Sequence, residues 1–136
     1  MNDTRSALQE WSPKILSVLR IVAGLLFLQH GCAKLFHVPY QPMFAHLPLM
    51  TLLGLQGIIE VVGGGLLAIG LFSRTVAFIL SGDMAVAFFM EHFPRNWMPI
   101  LNGGDLAVLF CFTFLYLFAA GPGPWSVDAL MHPRKP

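Results

Sequence analysis

The run LLGLQGIIEVVGGGLLAIGL, from Leu52 to Leu71, decides the fold because it is apolar and rich in glycine. A hydrocarbon core of about 30 Å takes roughly 20 apolar residues as a helix, so this run is long enough to cross a bilayer. Glu60 lies in its middle. A charged side chain at that depth costs at least about 2.5 kcal/mol unless a partner or a water-lined cavity receives it. The run therefore predicts a transmembrane helix whose carboxylate is either ion-paired or functional.

The composition of the whole chain also indicates a membrane protein. Of its 136 residues, 56% are hydrophobic and 11% are charged, and the mean hydropathy is +0.68. A soluble domain carries about 25% charged residues. The length is that of one domain, and a net charge of +1 gives no electrostatic basis for binding nucleic acid. We expect a single membrane domain over residues 1–136, in contact with the lipid bilayer.

Four apolar segments predict an all-α, polytopic four-transmembrane-helix bundle. Ser12-Pro13 is a plausible start for the first helix, because proline is tolerated in a first turn, and the preceding residues 1–13 are polar. Three prolines break residues 37–50, which we expect to form an extracytoplasmic loop that folds back against the bundle. The predicted helices span about residues 14–36, 52–71, 75–90 and 100–120.

The basic residues predict the orientation, since Lys and Arg are retained on the cytoplasmic side of short loops. Placing both termini in the cytoplasm puts most basic residues inside, with Arg95 and Lys34 at the outer side. We expect a multi-pass protein of the bacterial cytoplasmic (inner) membrane. The basic residues then inside are Arg5, Lys14, Arg74, Arg134 and Lys135.

Depth arithmetic places the polar residues of the four helices in one layer. At about 1.5 Å per residue, His30 lies about 9 Å inside the outer end of helix 1, and Glu60 and Asp83 about 12 Å inside helices 2 and 3. Asp105 lies about 8 Å below the start of helix 4 by the same rise. Helical spacing also gives Glu60 a stripe of small neighbours, which allows membrane helices to approach closely. The predicted ligand-binding cluster comprises His30, Lys34, Glu60, Asp83 and Asp105.

Each member of this cluster also has a structural explanation. Glu60 could be an ion-paired group that only fixes helix packing, and His30 could be a packing histidine bonded to a carbonyl. Lys34 and Arg20 could extend their ammonium and guanidinium groups to the headgroups. Asp105, which follows Asn102-Gly103-Gly104, could serve a helix N-terminus. The coincidence of depth and face across four helices favours a site.

Cysteine and histidine give weaker signals. Cys32 and Cys111 lie at different predicted depths, too far apart for a disulfide, so two free thiols are expected. Imidazole and thioether groups near the outer side would suit copper, but their spacing is irregular and we expect no metal site. The weak metal-ligand candidates are His37, His46 and His92.

Several motifs resemble those of the DoxX family of membrane proteins. The first helix contains GLLFLQHGCAKLF, residues 24–36, with a His-Gly-x-x-Lys core. Glu60 is followed by a triple glycine and then by Gly70-Leu71-Phe72-Ser73-Arg74, which is similar to the second helix and basic turn of the family. Asn102-Gly103-Gly104-Asp105 resembles the start of its fourth helix, and Gly121-Pro122-Gly123 with Ser126 and Asp128 resembles its closing motif. The likeness covers about residues 15–130.

This resemblance implies a four-helix bundle, with some relatives linked to thiosulfate:quinone oxidoreductase or to complexes that handle oxidative stress. The preferred hypothesis is a redox-associated protein whose cluster binds a small polar or quinone-like molecule. Glu60 and His30 would be its candidate catalytic, proton-exchanging groups, with Lys34 as partner for an anion or carbonyl. The alternatives are a non-catalytic accessory subunit, working with a partner redox subunit or as a homo-oligomer, and a transporter of small molecules or metals.

Overall fold

The computed structural model describes residues 2–133 and 135, and this part of the chain is helical with no strand. Three of its helices are long and apolar enough to cross a membrane: Asp3–Phe36, Leu52–Ile69 and Ser73–His92. The predicted all-α membrane fold is therefore confirmed. A further apolar helix, Asp105–Ala120, is shorter, so the count of four spans stays a prediction. Arg134, one of the basic residues used for the orientation, lies outside the described residues.

Six α-helices follow one another in the part of the chain that the structure describes. A 3₁₀ turn at Pro42–Phe44 lies in the loop after the first helix, and a π-helical turn at Phe88–His92 continues the third. The helices are α1 Asn2–Phe36, α2 Leu52–Ile69, α3 Ser73–Ala87, α4 Pro99–Asn102, α5 Asp105–Ala120 and α6 Val127–Met131.

Helix α1 begins at Asn2, about three turns before the predicted start at Ser12-Pro13. Pro13 lies inside the helix, where it removes one backbone hydrogen bond. The helix continues because the carbonyl left without a donor belongs to Gln9, which is exposed to solvent. An i,i+4 ion pair between Lys14 and Glu10, 2.9 Å apart, also bridges the proline.

The three-residue connection between the second and third helices lies two residues earlier than predicted. Helix α2 ends at Ile69, two residues before the predicted end, because Gly70 adopts a left-handed conformation with φ 77° and terminates it. Helix α3 then starts at Ser73 and loses α geometry at Phe88, where the π turn inserts an extra residue into the helical path. The connection leaves α2 and α3 as an antiparallel pair.

The last long helix starts at Asp105 and not near residue 100. Residues 99–102 form the separate helix α4, and Gly103, with φ 73°, ends it. This glycine break moves Asp105 from the predicted interior of a helix to the first turn of α5. Asp105 therefore lies at the start of its helix and not about 8 Å below it, so the predicted depth was wrong.

Close contact between α1 and α2 depends on glycines at reciprocal positions. A Cβ on Gly24 would lie 2.6 Å from the backbone nitrogen of Ala68, and one on Gly64 would lie 2.6 Å from that of Leu28. Neither position can accept a side chain without moving a backbone. The two helices therefore pack at backbone distance along this seam.

The hydrophobic core lies between this pair and the pair formed by α3 and α5. Phe27 of α1 packs edge-on against Phe114 of α5, with ring centroids 5.0 Å apart, and both side chains are buried. Leu67 and Leu80 complete the centre. We call the end that carries the α2–α3 turn and α6 the turn end. The end that carries residues 37–51 is the loop end.

Candidate functional site

The buried ion pair near the loop end joins Lys34 of α1 to Glu60 of α2. Lys34 Nζ donates to Glu60 Oε1 at 2.8 Å, and only 9% and 3% of the two side chains are exposed. The two residues were predicted to belong to one polar cluster, and this contact joins them. Lys34 therefore does not reach the headgroups, and its charge is neutralised inside the bundle.

Small residues let the two charged side chains meet. Gly57 faces Lys34, and a Cβ built on Gly57 would lie 3.2 Å from the Lys34 Cβ. Gly31 faces α2, where its Cβ would lie 2.7 Å from the nitrogen of Val61. The glycine seam thus holds α1 and α2 close enough for a lysine and a glutamate to bond inside the bundle.

Gln56 is a third member of this cluster, and sequence reasoning missed it. Its Oε1 accepts a second hydrogen bond from Lys34 Nζ at 3.0 Å, and the residue is buried. The signal was available, because Gln56 is a polar residue one helical turn before Glu60 in an apolar run. Since Lys34 can only donate, this bond leaves the Gln56 amide NH₂ free to donate elsewhere.

Asp83 of α3 lies beside the pair, at a small cavity of about 50 Å³ between α2 and α3. Gln56 and Asp83 line it together with Glu91, and apolar side chains of both helices form its rim. One oxygen each of Glu60 and Asp83 is buried without a hydrogen-bond partner among the described residues. We call Lys34, Gln56, Glu60 and Asp83 the loop-end cluster. It contains two carboxylates and one cation.

Two predicted members of the site lie apart from this cluster. His30 is half-buried and packs edge-on to Phe110, with ring centroids 6.3 Å apart. Asp105 is exposed in the first turn of α5, which is the helix-terminus position considered as its alternative. The structure therefore brings together Lys34, Glu60 and Asp83, and leaves His30 as a neighbour and Asp105 outside.

The loop between α1 and α2 covers one side of the ion pair. The aromatic ring of Phe44 lies 5.7 Å from Lys34 Nζ, close enough for a cation–π contact. A loop folding back against the bundle was predicted, and Phe44 is where it does so. This ring helps to exclude water from the lysine.

The three weak metal-ligand candidates are dispersed. His37 and His46 are exposed in the loop, and His92 is part of the π turn, where its Nδ1 lies 3.1 Å from the carbonyl oxygen of Asn102. Within the described residues, no three side chains of the His, Cys, Asp or Glu type are grouped to hold a metal ion. Cys32 and Cys111 are free thiols.

A second polar network lies at the turn end and is centred on Arg20. Its side chain is 1% exposed, so it does not extend to the headgroups as the alternative interpretation held. Arg20 Nη1 donates to the carbonyl of Pro122 at 2.9 Å, and Nη2 donates to that of Trp125 at 2.6 Å. The backbone nitrogen of Trp125 in turn donates to Ser17 Oγ at 3.1 Å. This arrangement fastens the closing segment of the chain onto α1.

Asp128 and Arg74 extend the network. The Asp128 carboxylate accepts from the backbone N–H groups of Phe72 and Ser73, both at 2.8 Å, and so caps α3 from a distant part of the chain. Burial alone would raise the pKa of Asp128, but these hydrogen bonds outweigh it and hold that pKa below its usual range. Arg74 Nη1 donates to the last carbonyls of α5, those of Phe118 and Ala119. We call Ser17, Arg20, Arg74 and Asp128 the turn-end network.

The loop-end cluster has the composition of a site that binds hydrogen-bonding groups and exchanges protons. It offers donors from Lys34 and Gln56, and two carboxyl groups that each keep an oxygen free. A carboxyl oxygen without a hydrogen-bond partner can bind a proton or accept a hydrogen bond from a ligand. The rim of the cavity faces the lipid, because Leu52, Leu55 and Met90 are exposed there.

Comparison with known proteins supports the fold and identifies the family. The chain is 39% identical over 125 residues to an uncharacterized protein of Haemophilus influenzae, and the alignment covers 89% of this chain and 93% of that protein. It is 26% identical over 155 residues to an uncharacterized membrane protein of Mycobacterium tuberculosis, and that alignment covers 96% of this chain and 94% of the relative. No solved structure matches significantly. The DoxX family profile matches residues 15–93, more than half of the chain, and the protein therefore belongs to the DoxX family.

Proposed function

We propose that the loop-end cluster binds the polar head of a small lipid-soluble molecule of the quinone type, and that Glu60 exchanges protons with it. The observation that carries this proposal is the two carboxylates, Glu60 and Asp83, each of which has one buried oxygen without a partner among the described residues, beside one lysine. Leaving such groups unsatisfied inside a bilayer is costly, and intramembrane ionisable residues commonly mark ligand or proton sites.

The shape of the site favours access from the lipid. The cavity between α2 and α3 has an apolar rim and a polar floor, so an amphipathic molecule can approach with its tail in the bilayer. Its carbonyl oxygens would meet the NH₂ of Gln56, which lines the cavity, and the Lys34 ammonium that is bonded to Gln56. A cavity of about 50 Å³ holds little more than a water molecule, so binding requires α2 and α3 to separate slightly.

Proton exchange follows from the chemistry of this ligand class. A quinone that is reduced by two electrons also takes up two protons. Asp83 and Glu91 are the acidic groups that line the cavity, and Glu60 is connected to it through Lys34 and Gln56. The electrons would come from a partner redox protein, in keeping with a redox-associated membrane function. The accessory-subunit alternative assigns the same cluster to helix packing alone.

The test is quinone binding by purified protein in phosphatidylcholine nanodiscs, with ubiquinone-1 as the probe and equilibrium dialysis as the readout. We expect binding that depends on pH in the parent protein. Glu60→Gln, which keeps volume and hydrogen-bonding capacity, should fold normally and lose that pH dependence. Asp105→Asn is the matched control, because it removes an exposed carboxylate from the same end of the molecule. Its binding should equal that of the parent.

Binding by Glu60→Gln that matches the parent across the whole pH range would remove Glu60 as a proton-exchanging group. The accessory-subunit function would then be favoured. Absence of ubiquinone-1 binding in the parent would remove the quinone proposal itself. Mass spectrometry of molecules that co-purify with the protein would then identify the ligand class, if the site is occupied in cells.

The orientation proposed for this function places the loop end, and with it the cluster, on the extracytoplasmic side of a bacterial inner membrane. The support is the clustering of Arg5, Lys14 and Arg74 in the turn-end half of the chain, since basic residues are retained in the cytoplasm. Reporter fusions should place both termini in the cytoplasm. Fusions that place the two termini on opposite sides would contradict an even number of spans.

A further inference from the structure

A second site lies at the turn end, where α1 and α5 diverge. The two helices are in contact at Phe27 and Phe114, but farther toward the turn end they are separated by two adjoining cavities of about 790 and 560 Å³. Ser12, Leu16 and Tyr116 line both. We call these two cavities together the turn-end groove. Each volume is within the range of small-molecule sites, about 300–1,000 Å³.

The long wall of the groove is apolar and faces the lipid. Leu8, Ile15 and Leu19 of α1 line the smaller cavity, and all three are exposed. Ile15, Leu16 and Leu19 lie within the apolar part of α1, so this wall is suited to a hydrocarbon chain. The unexpected extension of α1 before Pro13 makes the groove longer, because Arg5 and Leu8 belong to that extension.

Basic groups lie along the groove. Arg5 lines the smaller cavity, and Arg74 and His132 line the larger. Asp128 also lines the larger cavity, but its carboxylate is bonded to two backbone N–H groups. Arg5 and Arg74 against Asp128 leave the groove a formal charge of +1.

Two hydrogen bonds hold the Arg74 guanidinium in one orientation. Its Nη1 donates to two carbonyls at the end of α5, which fixes the guanidinium plane. Within residues 2–133, its Nη2 and Nε donate to no protein acceptor. An arginine with one edge anchored and the other edge free can receive two phosphate oxygens in a fork.

We propose that the turn-end groove binds an anionic phospholipid, with its phosphate at Arg74 and one acyl chain along Leu16, Leu19 and Tyr116. Charge complementarity selects this occupant, since the apolar wall alone would take any lipid. Basic pockets of membrane proteins on the cytoplasmic side, where this end is predicted to lie, bind anionic headgroups. The site is independent of the loop-end cluster and of its proposed ligand.

Native mass spectrometry of the detergent-purified protein tests this proposal, with phosphatidylglycerol and phosphatidylcholine of identical acyl chains as probes. We expect a 1:1 adduct with phosphatidylglycerol that is more abundant than the phosphatidylcholine adduct. Arg74→Gln should weaken phosphatidylglycerol binding by about fivefold, the usual contribution of one basic residue at an anionic surface. Arg95→Gln, an exposed arginine at the other end, is the control and should leave binding unchanged.

A second pair of variants tests the acyl chain without touching the bonds of Arg74. Leu19→Trp places an indole ring in the groove, whereas Val18→Trp places the same ring at an exposed position that does not line the groove. Only Leu19→Trp should reduce binding. Glycerol phosphate is the competing probe: if it displaces phosphatidylglycerol completely at equal concentration, the site is one for free phosphate compounds. Equal adducts with both lipids, or equal losses in Leu19→Trp and Val18→Trp, would overturn the proposal.

Discussion

The two polar networks of this protein lie at opposite ends of the same bundle and are built in different ways. In the turn-end network, the charged side chains bond to the backbone: Arg20 and Arg74 to carbonyls, and Asp128 to N–H groups. In the loop-end cluster, side chains bond to side chains, and two carboxylate oxygens have no partner among the described residues. Backbone partners fix a chain path, whereas unpaired carboxylate oxygens leave capacity for a ligand or proton. The bonds of the turn-end network hold the closing segment and α3 in place, whereas the loop-end cluster keeps oxygens that can accept a hydrogen bond or a proton.

Two buried polar atoms at the turn end, Arg20 Nε and Ser73 Oγ, also have no partner within the described residues. The first can only donate and the second is a hydroxyl, and two carbonyls compensate the charge of Arg20. A buried carboxylate oxygen differs, since it can accept a proton as well as a bond. The two ends are therefore distinguished by the kind of group left free.

The largest expected effect is at the ion pair. Lys34→Met leaves the Glu60 carboxylate buried without its cation and should cost about 3–5 kcal/mol, measured by unfolding in mixed detergent micelles. Combining it with Glu60→Leu should cost less than the sum of the single changes, because the pair is removed together. Removing the exposed Lys14–Glu10 pair is the control, with an expected cost below about 1 kcal/mol. Additive losses at Lys34 and Glu60 would contradict their coupling.

A smaller effect is expected at Arg20. Arg20→Met retains much of the volume but leaves the carbonyls of Pro122 and Trp125 without their donor, at a cost of about 2–3 kcal/mol. Because these partners hold the closing segment, residues 121–131 should exchange amide hydrogens faster while α2 remains protected. Uniform loss of protection across the molecule would show that Arg20 supports the whole bundle and not one segment.

Asp128 should show the next smaller effect, and one that depends on pH. Asp128→Asn weakens the cap on α3, at a cost of about 1 kcal/mol near neutral pH. The folded-state pKa lies below the ordinary 3.8, so the ionised carboxylate contributes fully above that value and loses its contribution as the pH falls through the folded-state pKa. Thermal unfolding of parent and variant should therefore converge as the pH falls through the folded-state pKa. A constant difference between them at every pH would exclude the carboxylate charge as the cause.

The smallest effect on stability is expected at Asp83, although it lies in the proposed site. Asp83→Asn keeps the shape of the side chain and removes a charge that has no cation of its own among the described residues. We expect a change within about 1 kcal/mol, in either direction, in the same detergent assay. A loss as large as that of Lys34→Met would place Asp83 in the ion pair and would weaken its assignment to ligand binding.

The sequence predicts the loop-end cluster better than the turn-end network, and the reason is physical. Lys34 and Glu60 are charged residues in apolar helices, and the cost of burying them makes pairing at a common depth predictable. The acceptors of Arg20 are backbone carbonyls, which every residue has, so the sequence does not identify the two to which Arg20 donates. Pro13 was a plausible first-turn residue, and the exposure of Gln9 together with the Lys14–Glu10 ion pair explains why α1 continues through it. Asp105 was placed too deep because Gly103 ends one helix and a second begins.

The partners of Arg20 have a consequence for how the protein is made. Pro122 and Trp125 follow Arg20 by 102 and 105 residues, so its hydrogen-bond acceptors are synthesised well after α1. At about 5–20 residues per second, a ribosome needs roughly 5–20 s to reach them. During that interval the guanidinium has neither carbonyl available, and we expect it to lie at the membrane surface. We expect Arg20 to turn inward only after Pro122 and Trp125 have been made, which places its burial after the synthesis of α2, α3 and α5.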